Sequence, residues 1–143
     1  MAKGDTGKRY IFNAPFIRMH PICVSEDSTA DDLADIALCV HRLFGLLPVT
    51  ARSKNKPGVR VEGNRVISRS YTGPILERAI AENRVIQERP PSGVYRGIPV
   101  VVSPVQVEGN AVAAIGVVDV TGSLDLKALM DQYSSLQKQV GDY

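Results

Sequence analysis

Two long apolar runs, separated by a short turn signal, constrain the fold of this chain more than any other feature. Residues 97–107 read GIPVVVSPVQV and residues 111–120 read AVAAIGVVDV. Strands with such continuous apolar character are covered on both faces, so we predict two central strands of a sheet. Glu108-Gly109-Asn110 between them predicts a tight hairpin, because Gly and Asn accept positive φ angles.

The tetrapeptide Val-Glu-Gly-Asn occurs twice, at residues 61–64 and again at residues 107–110. The first copy also lies between β-branched runs, in VRVEGNRVIS, and it therefore predicts a second hairpin. The flanking sequences differ, since the chain is rich in arginine after Asn64 and apolar after Asn110. We interpret the repeat as two hairpin turns, one at a charged edge and one at the buried centre of the sheet, and not as a duplicated unit.

Three segments have the apolar periodicity of amphipathic helices. The first, STADDLADIALCVHRLFG at residues 28–45, begins at a candidate N-cap, Ser28 or Thr29, and ends at Gly45. Its predicted apolar stripe consists of Leu33, Ile36, Ala37, Val40, Leu43 and Phe44. The second, TGPILERAIAEN at residues 72–83, has Pro74 at its first position. The third begins near Ser123 and has the a/d spacing of a coiled-coil seam, at Leu126, Leu129, Tyr133, Leu136 and Val140.

The order of these elements predicts an α+β fold, in which a mostly antiparallel β-sheet carries the N- and C-terminal helices on one face. The turns between successive strands are too short for the crossovers that a parallel sheet requires. Residues 1–27 have no sustained periodicity, and we interpret them as an N-terminal arm. Residues 28–143 are predicted to form a single α+β domain, a size at which one chain buries a sizeable core.

Composition excludes several classes of protein. The net charge of +2 over 143 residues is too small to make the whole chain a nucleic-acid binder. The chain contains no Trp, which argues against a broad platform for stacking bases. No apolar run approaches the roughly 20 residues of a membrane helix, and two cysteines do not form a disulfide framework. We therefore expect a soluble, cytoplasmic protein with no membrane partner.

One segment, residues 52–69, is strongly basic and is named here the basic hairpin. Its cations are Arg52, Lys54, Lys56, Arg60, Arg65 and Arg69, against a single acid, Glu62. Such a cluster binds a phosphate, a carboxylate or an anionic partner in some proteins. In others it is a solvated edge on which Lys and Arg prevent strand-to-strand aggregation. The sequence leaves both interpretations open.

Two histidines and two cysteines are a possible set of zinc ligands, but the usual spacing of paired zinc ligands is absent. These residues are His20, Cys23, Cys39 and His41. Cys39 and His41 are two residues apart on a helix, which turns them about 200° away from each other. We therefore predict no metal site, with Cys39 beside the apolar stripe and His41 more exposed. No catalytic constellation is evident, and no cofactor is indicated.

Several polar residues remain candidates for a ligand site. Tyr71, Tyr95 and Ser103 lie at predicted strand ends, and Asp119 follows a buried strand just before the last helix. Together with cations of the basic hairpin, the candidate ligand-binding residues are Arg60, Arg65, Arg69, Tyr71, Tyr95, Ser103 and Asp119.

The stretch from Gly93 to Gly122 resembles the closing half of GAF/PAS-type sensor domains, in which a strand, a Gly-containing turn and a strand ending in a G-V-V-D-like segment precede an output helix. The combination of TGPILERAI, GIPVVVSPV and IGVVDVTG is similar to an uncharacterised family of small proteins from methanogenic archaea. The resemblance implies a GAF/PAS/profilin-like sensor fold and no known activity. The chain lacks the pocket His, Cys or aromatic signatures of the members that bind haem, flavin or bilin.

Two functions are consistent with these features. The first is a non-enzymatic regulatory or sensory domain with a pocket between the sheet and the segment Thr72–Arg89. It would bind a small ligand, for which an anion is one candidate, and form a homodimer through the C-terminal helix. The alternative is an adaptor or nucleic-acid-binding module that docks the basic hairpin on an acidic partner.

Overall fold

The computed structural model describes residues 21–122, and within that range it shows two helices and six strands. These are α1 (Ala30–Leu43), β1 (Val49–Ser53), β2 (Gly58–Glu62), β3 (Arg65–Tyr71), α2 (Pro74–Glu82), β4 (Ile86–Glu88), β5 (Val100–Val107) and β6 (Asn110–Val118). The predicted C-terminal helix and most of the predicted arm lie outside the described residues. Neither helix between residues 21 and 122 is long and apolar enough to cross a membrane.

The strands form one open sheet in the order β3-β2-β1-β6-β5-β4, and every neighbouring pair is antiparallel. Strands β1, β2 and β3 form one meander, and β4, β5 and β6 form another. The two meanders meet where β1 pairs with β6, in a register that places Val49 opposite Val117 and Ser53 opposite Ala113. The predicted antiparallel α+β architecture is therefore confirmed, and β6 is central as expected.

The two Val-Glu-Gly-Asn copies form two-residue hairpin turns that differ by one position. In the β2–β3 hairpin the loop residues are Gly63 and Asn64, with φ angles of 59° and 63°. In the β5–β6 hairpin the loop residues are Glu108 and Gly109, with φ angles of 52° and 83°. Two positive φ angles in succession are the geometry of a type I′ turn, whose twist matches that of the strands. The repeat thus predicts where each turn lies, but the two loop residues are the third and fourth of the tetrapeptide in one copy and the second and third in the other.

The two described helices lie on opposite faces of the sheet. The predicted placement of the N- and C-terminal helices on one face stays a prediction, because the C-terminal helix lies outside the described residues. On β1, Val49 and Ala51 pack in the cluster that contains α1. On β6, Ala114 and Val118 pack in the cluster that contains α2, whereas the alternate residues face α1. Successive side chains of a strand point to opposite faces, so the near-continuous apolar runs require a cover on each side.

Helix α1 begins at a capping box and buries a stripe that differs from the predicted one at its end. Thr29 accepts a hydrogen bond from the Asp32 backbone, and the Asp32 carboxylate accepts one from the Thr29 backbone. The buried residues are Ala30, Leu33, Ala34, Ala37 and His41. Leu43, placed in the stripe by its apolarity, is 75% exposed, because it lies two residues beyond His41 and is turned about 200° away from it.

His41 is fully buried and Cys39 is exposed, so their predicted environments were wrong. The His41 ring lies between two backbone groups: its Nδ1 is 2.6 Å from the Leu47 carbonyl oxygen, and its Nε2 is 2.9 Å from the Asn64 nitrogen. A carbonyl only accepts and an amide only donates, so the ring must be neutral with its proton on Nδ1. It thereby joins the end of α1 to the β2–β3 turn and to the start of β1.

We predict that His41→Leu lowers the free energy of unfolding by about 2–5 kcal/mol, because it leaves two backbone groups without partners in the interior. The matched control is Cys39→Ala on the exposed side of the same helix, for which we expect a change below about 0.5 kcal/mol. Urea unfolding followed by circular dichroism measures both. Equal stabilities of the two variants would contradict the role assigned to His41.

Candidate functional site

A cavity of about 530 Å³ lies on the α2 side of the sheet, between the strands and residues 70–78 and 88–95. Its apolar walls include Leu76, Val100, Val102 and Val118. The polar residues that line it are mainly ones with hydroxyl side chains: Thr50, Ser68, Ser70, Tyr71, Thr72, Ser92 and Tyr95. Apolar walls with a few hydrogen-bonding groups are typical of small-molecule sites.

The floor of the cavity is formed by Thr50 of β1 and Gly116 of β6, which lie directly opposite each other in the ladder. A methyl group added at Gly116 would lie 2.9 Å from Val102 Cγ2 and 3.2 Å from Thr50 Oγ1, so a side chain there would displace the groups that form the floor. Thr50 is only 4% exposed. Among residues 21–122 no group hydrogen-bonds to its hydroxyl, which faces the cavity.

The opposite wall is the first turn of α2. The residue before this helix, Gly73, has a φ angle of 64°, and no side chain among the described residues caps the helix. A side chain at Gly73 would meet Leu76 Cδ1 and Tyr71 Cε2, each at 2.7 Å. The first amides of a helix have no intrahelical acceptor, so those of Ile75 and Leu76 remain available at the cavity wall.

A buried arginine, Arg52, holds α2 against the sheet. It is 9% exposed and lies two residues after Thr50 on β1, facing the same side. Its Nη1 donates to the Thr72 carbonyl at 2.8 Å and to Glu77 Oε2 at 2.5 Å, while its Nε donates to the Ser53 carbonyl at 2.9 Å. The Arg52–Glu77 ion pair thus positions the first turn of α2 over the floor of the cavity.

Arg60, Glu62 and Tyr95 form a hydrogen-bonded cluster beside the cavity. Arg60 Nε donates to Tyr95 Oη at 2.9 Å and to Glu62 Oε2 at 3.1 Å, and the guanidinium lies 5.2 Å from the centre of the Tyr95 ring. Arg60 Nη2 also donates to Glu62 Oε2, at 2.9 Å, and the Tyr95 hydroxyl donates a short hydrogen bond to the same oxygen. The cluster fixes Tyr95 as one wall of the cavity.

The pKa values of this cluster show that its groups are stabilised in fixed protonation states. Burial is the largest cause that raises the pKa of Tyr95 far above its ordinary value, and the hydrogen bond to Glu62 is the second largest. Burial alone would raise the pKa of Glu62, but the hydrogen bonds from Tyr95 and Arg60 outweigh it and lower that pKa. Glu62 is therefore held as an anion and Tyr95 as a neutral donor at neutral pH.

A third Arg–Glu pair lies at the mouth of the cavity. Arg78 of α2 donates from Nη1 to both carboxylate oxygens of Glu88, each at 2.9 Å. Both residues line the cavity. Each of the three arginines around the cavity is therefore already paired with a carboxylate.

The structure brings together three of the seven candidate ligand-binding residues. Tyr71 and Tyr95 line the cavity, and Arg60 contacts Tyr95. The others lie elsewhere. Arg65 is exposed beside the β2–β3 turn, and Arg69 forms an ion pair with Asp31 of α1 at 2.7 Å. Ser103 is exposed, and its hydroxyl donates a hydrogen bond to the Pro104 carbonyl. Asp119 is buried after β6, and its carboxylate accepts a hydrogen bond from the Thr121 hydroxyl.

Sequence reasoning missed Thr50, Gly73 and Gly116, which shape the cavity. None of them belongs to a motif, and a Thr in a short strand or a Gly in an apolar run has many structural roles. The alternation of β1 is the signal that could have singled out Thr50, since it is the polar residue between Val49 and Ala51.

The positive charge of the basic hairpin is largely offset by carboxylates. Three of its six cations pair with carboxylates from other parts of the fold, Arg52 with Glu77, Lys54 with Glu26 and Arg69 with Asp31, and Arg60 pairs with Glu62 within the hairpin. The hairpin therefore presents a weaker field than its sequence suggests. Between residues 21 and 122 no group of three or more His, Cys, Asp or Glu is placed to hold a metal ion.

An open antiparallel sheet with a helix on each face and a hydroxyl-lined cavity under the second helix defines a small α+β protein with a ligand-sized site. Residues 40–121 match a family described as "Uncharacterized protein conserved in archaea (DUF2111)", and the chain belongs to this family. A protein of Methanocaldococcus jannaschii, "Uncharacterized protein MJ0405", is 46% identical over 103 residues, which is 72% of this chain and 79% of the relative. No solved structure matches the chain significantly. The family match includes every residue that lines the cavity.

The lowered pKa of Glu62 predicts how stability depends on pH. An ionised Glu62 contributes its full stabilisation above the ordinary glutamate pKa of about 4.3, and this contribution is lost as the pH falls through the lowered value of the folded state. We therefore expect Glu62→Gln to be less stable than the wild type at neutral pH and the difference to shrink in acid.

Urea unfolding between about pH 3 and pH 7 measures this difference. The matched control is Glu108→Gln, at the exposed glutamate of the other Val-Glu-Gly-Asn turn. A difference between the wild type and Glu62→Gln that stays constant over this range would contradict the assignment.

Proposed function

We propose that this protein is a non-enzymatic regulatory or sensory domain that binds a small molecule in the cavity between the sheet and α2. The observation that carries the proposal is the Thr50 hydroxyl, which lies at the cavity floor and has no hydrogen-bond partner among the described residues. No described side-chain atom that is sealed from solvent lacks a partner, so this hydroxyl is open to the cavity and available to a hydrogen-bonding atom of a ligand.

The size and lining of the cavity support the same conclusion. A volume of about 530 Å³ lies within the range of roughly 300–1,000 Å³ that small-molecule sites occupy. Two glycines, Gly73 and Gly116, occupy positions where a side chain would collide with the cavity walls. An unfilled space in a core reduces stability, so a cavity of this size and lining supports a function in binding.

The polar groups at the cavity favour binding over catalysis. Glu62 is engaged by Arg60 and Tyr95, and Glu88 is engaged by Arg78. A general base needs an available lone pair near the operating pH, and a nucleophile needs an adjacent base. The hydroxyl groups that line the cavity have neither, so they serve to orient a ligand.

A GAF/PAS-like sensor is the class that we propose for this domain. The β5–β6 hairpin carries the resemblance from Gly93 to Gly122, and the open antiparallel sheet is in keeping with it. The homodimer remains a prediction, because the helix on which it rests lies outside the described residues. Docking of the basic hairpin on an acidic partner also remains a prediction, and salt-dependent binding that is lost in an Arg60, Arg65 and Arg69 triple variant would test it.

The proposal predicts that compounds from a metabolite and fragment screen stabilise the wild-type protein in thermal-shift assays. We expect Gly116→Ala to abolish this effect, because the added methyl group fills the floor. A second variant, Thr72→Trp, changes an exposed residue at the rim and blocks entry without altering the interior. Ser103→Ala, on the opposite face of β5, is the matched control and should retain the wild-type response.

The proposal fails if no compound stabilises the wild type. It also fails if both the floor variant and the rim variant are stabilised as strongly as the wild type.

A further inference from the structure

We propose that the cavity selects a compact, largely apolar molecule with one carbonyl or carboxylate group and discriminates against phosphate esters. This inference rests on the proposed function, namely that the cavity binds a small molecule. It adds the chemical class of that molecule, and it follows from the charges and hydrogen-bond donors around the cavity.

The charges around the cavity are balanced in pairs. Arg52 pairs with Glu77, Arg60 with Glu62, and Arg78 with Glu88. A phosphate ester carries almost two negative charges at neutral pH and is normally bound by arginine or lysine. To obtain such a partner here, it would have to displace a glutamate that is already hydrogen-bonded. The displaced carboxylate would then lie next to the phosphate, so binding of the dianion is opposed by repulsion.

The donors at the floor suit a single acceptor group. Thr50 Oγ1 is 3.2 Å from the position that a methyl group on Gly116 would occupy, and Leu76 Cδ2 is 3.5 Å from the same position. The position itself is too close to Val102 Cγ2, at 2.9 Å, to hold a ligand atom, so a ligand atom at the floor lies on its cavity side, next to the Thr50 hydroxyl and the third residue of α2. The uncapped amides of the first turn and the positive end of the helix dipole favour an oxygen acceptor or an anion there, and the glutamates around the cavity oppose a second negative charge.

The remaining walls suit an apolar body. Val102 and Val118 of the sheet and Leu76 of α2 surround the floor, and Tyr95 forms a side wall whose hydroxyl is turned towards Glu62. The ring of Tyr95 is thereby left as an apolar surface towards the cavity. A flat or branched hydrocarbon group gains the free energy of apolar burial against these side chains.

Three probes of matched shape test the selectivity: benzoate, benzamide and phenyl phosphate. Their affinities for the full chain are measured by amide chemical-shift titration at about pH 8, where a phosphate monoester is doubly charged. We expect benzoate and benzamide to perturb the amides of Thr50, Leu76 and Gly116. Phenyl phosphate should bind at least about tenfold more weakly than benzoate, because Arg78, the cation among the lining residues, is already paired with Glu88.

Variants of the floor test the hydrogen bond. Thr50→Val removes the hydroxyl with little change in shape, and we expect it to weaken benzoate and benzamide by about five- to tenfold. Thr50→Ser retains the hydroxyl and should bind within about twofold of the wild type. Ser103→Ala, whose hydroxyl lies on the other face of the sheet, should bind as the wild type does.

The possible outcomes separate the two proposals. If phenyl phosphate binds as tightly as benzoate, or if Thr50→Val binds as the wild type does, the ligand class is wrong while the cavity remains a binding site. If all three probes are too weak to measure, the same comparison is made between a compound from the screen and its phosphate ester. If neither the probes nor any compound perturbs the floor residues, the binding function itself is overturned.

Discussion

The pairing of β1 with β6 is the interaction on which the rest of this structure depends. It joins two three-stranded meanders that would otherwise each be a small sheet with one long exposed edge. Because successive side chains of a strand point to opposite faces, this strand pair contributes residues to the packing under both helices. Val49 and Ala51 face α1, whereas Thr50 and Arg52 face α2. A slip of one residue in this register would exchange the two faces and destroy both cores.

The candidate site is a direct consequence of this register. Thr50 and Gly116 are paired, so a small hydroxyl side chain and the absence of a side chain lie together at the centre of the α2 face. Two residues further along β1, Arg52 reaches Glu77 and the Thr72 carbonyl and so keeps the start of α2 above that point. The space between floor and helix is therefore held open by the same strand that organises the sheet.

Local signals in the sequence were sufficient for most of the fold. Turn residues and caps act within a few positions, so the two hairpins and the ends of α2 were predicted correctly. Properties that depend on what lies across the structure were not accessible in this way. The sequence could not show that His41 would find two backbone partners in the interior, nor that α2 would cover the face opposite α1. Thr50 and Gly116 acquire their importance only through being paired.

The arginines illustrate the same distinction for electrostatics. A run of cations along the chain suggests an anion site, but ion pairing depends on spatial neighbours: Arg52 and Glu77 are 25 residues apart, and Arg69 and Asp31 are 38 apart. Once these partners are in place, the arginines near the cavity serve to position α2 and Tyr95, and they are not available to a ligand. In the proposed binding function, recognition at the cavity therefore depends on groups with small or partial charges, a threonine hydroxyl and the amides of a helix terminus. Such donors favour a carbonyl or a single carboxylate because they offer hydrogen bonds without a full positive charge.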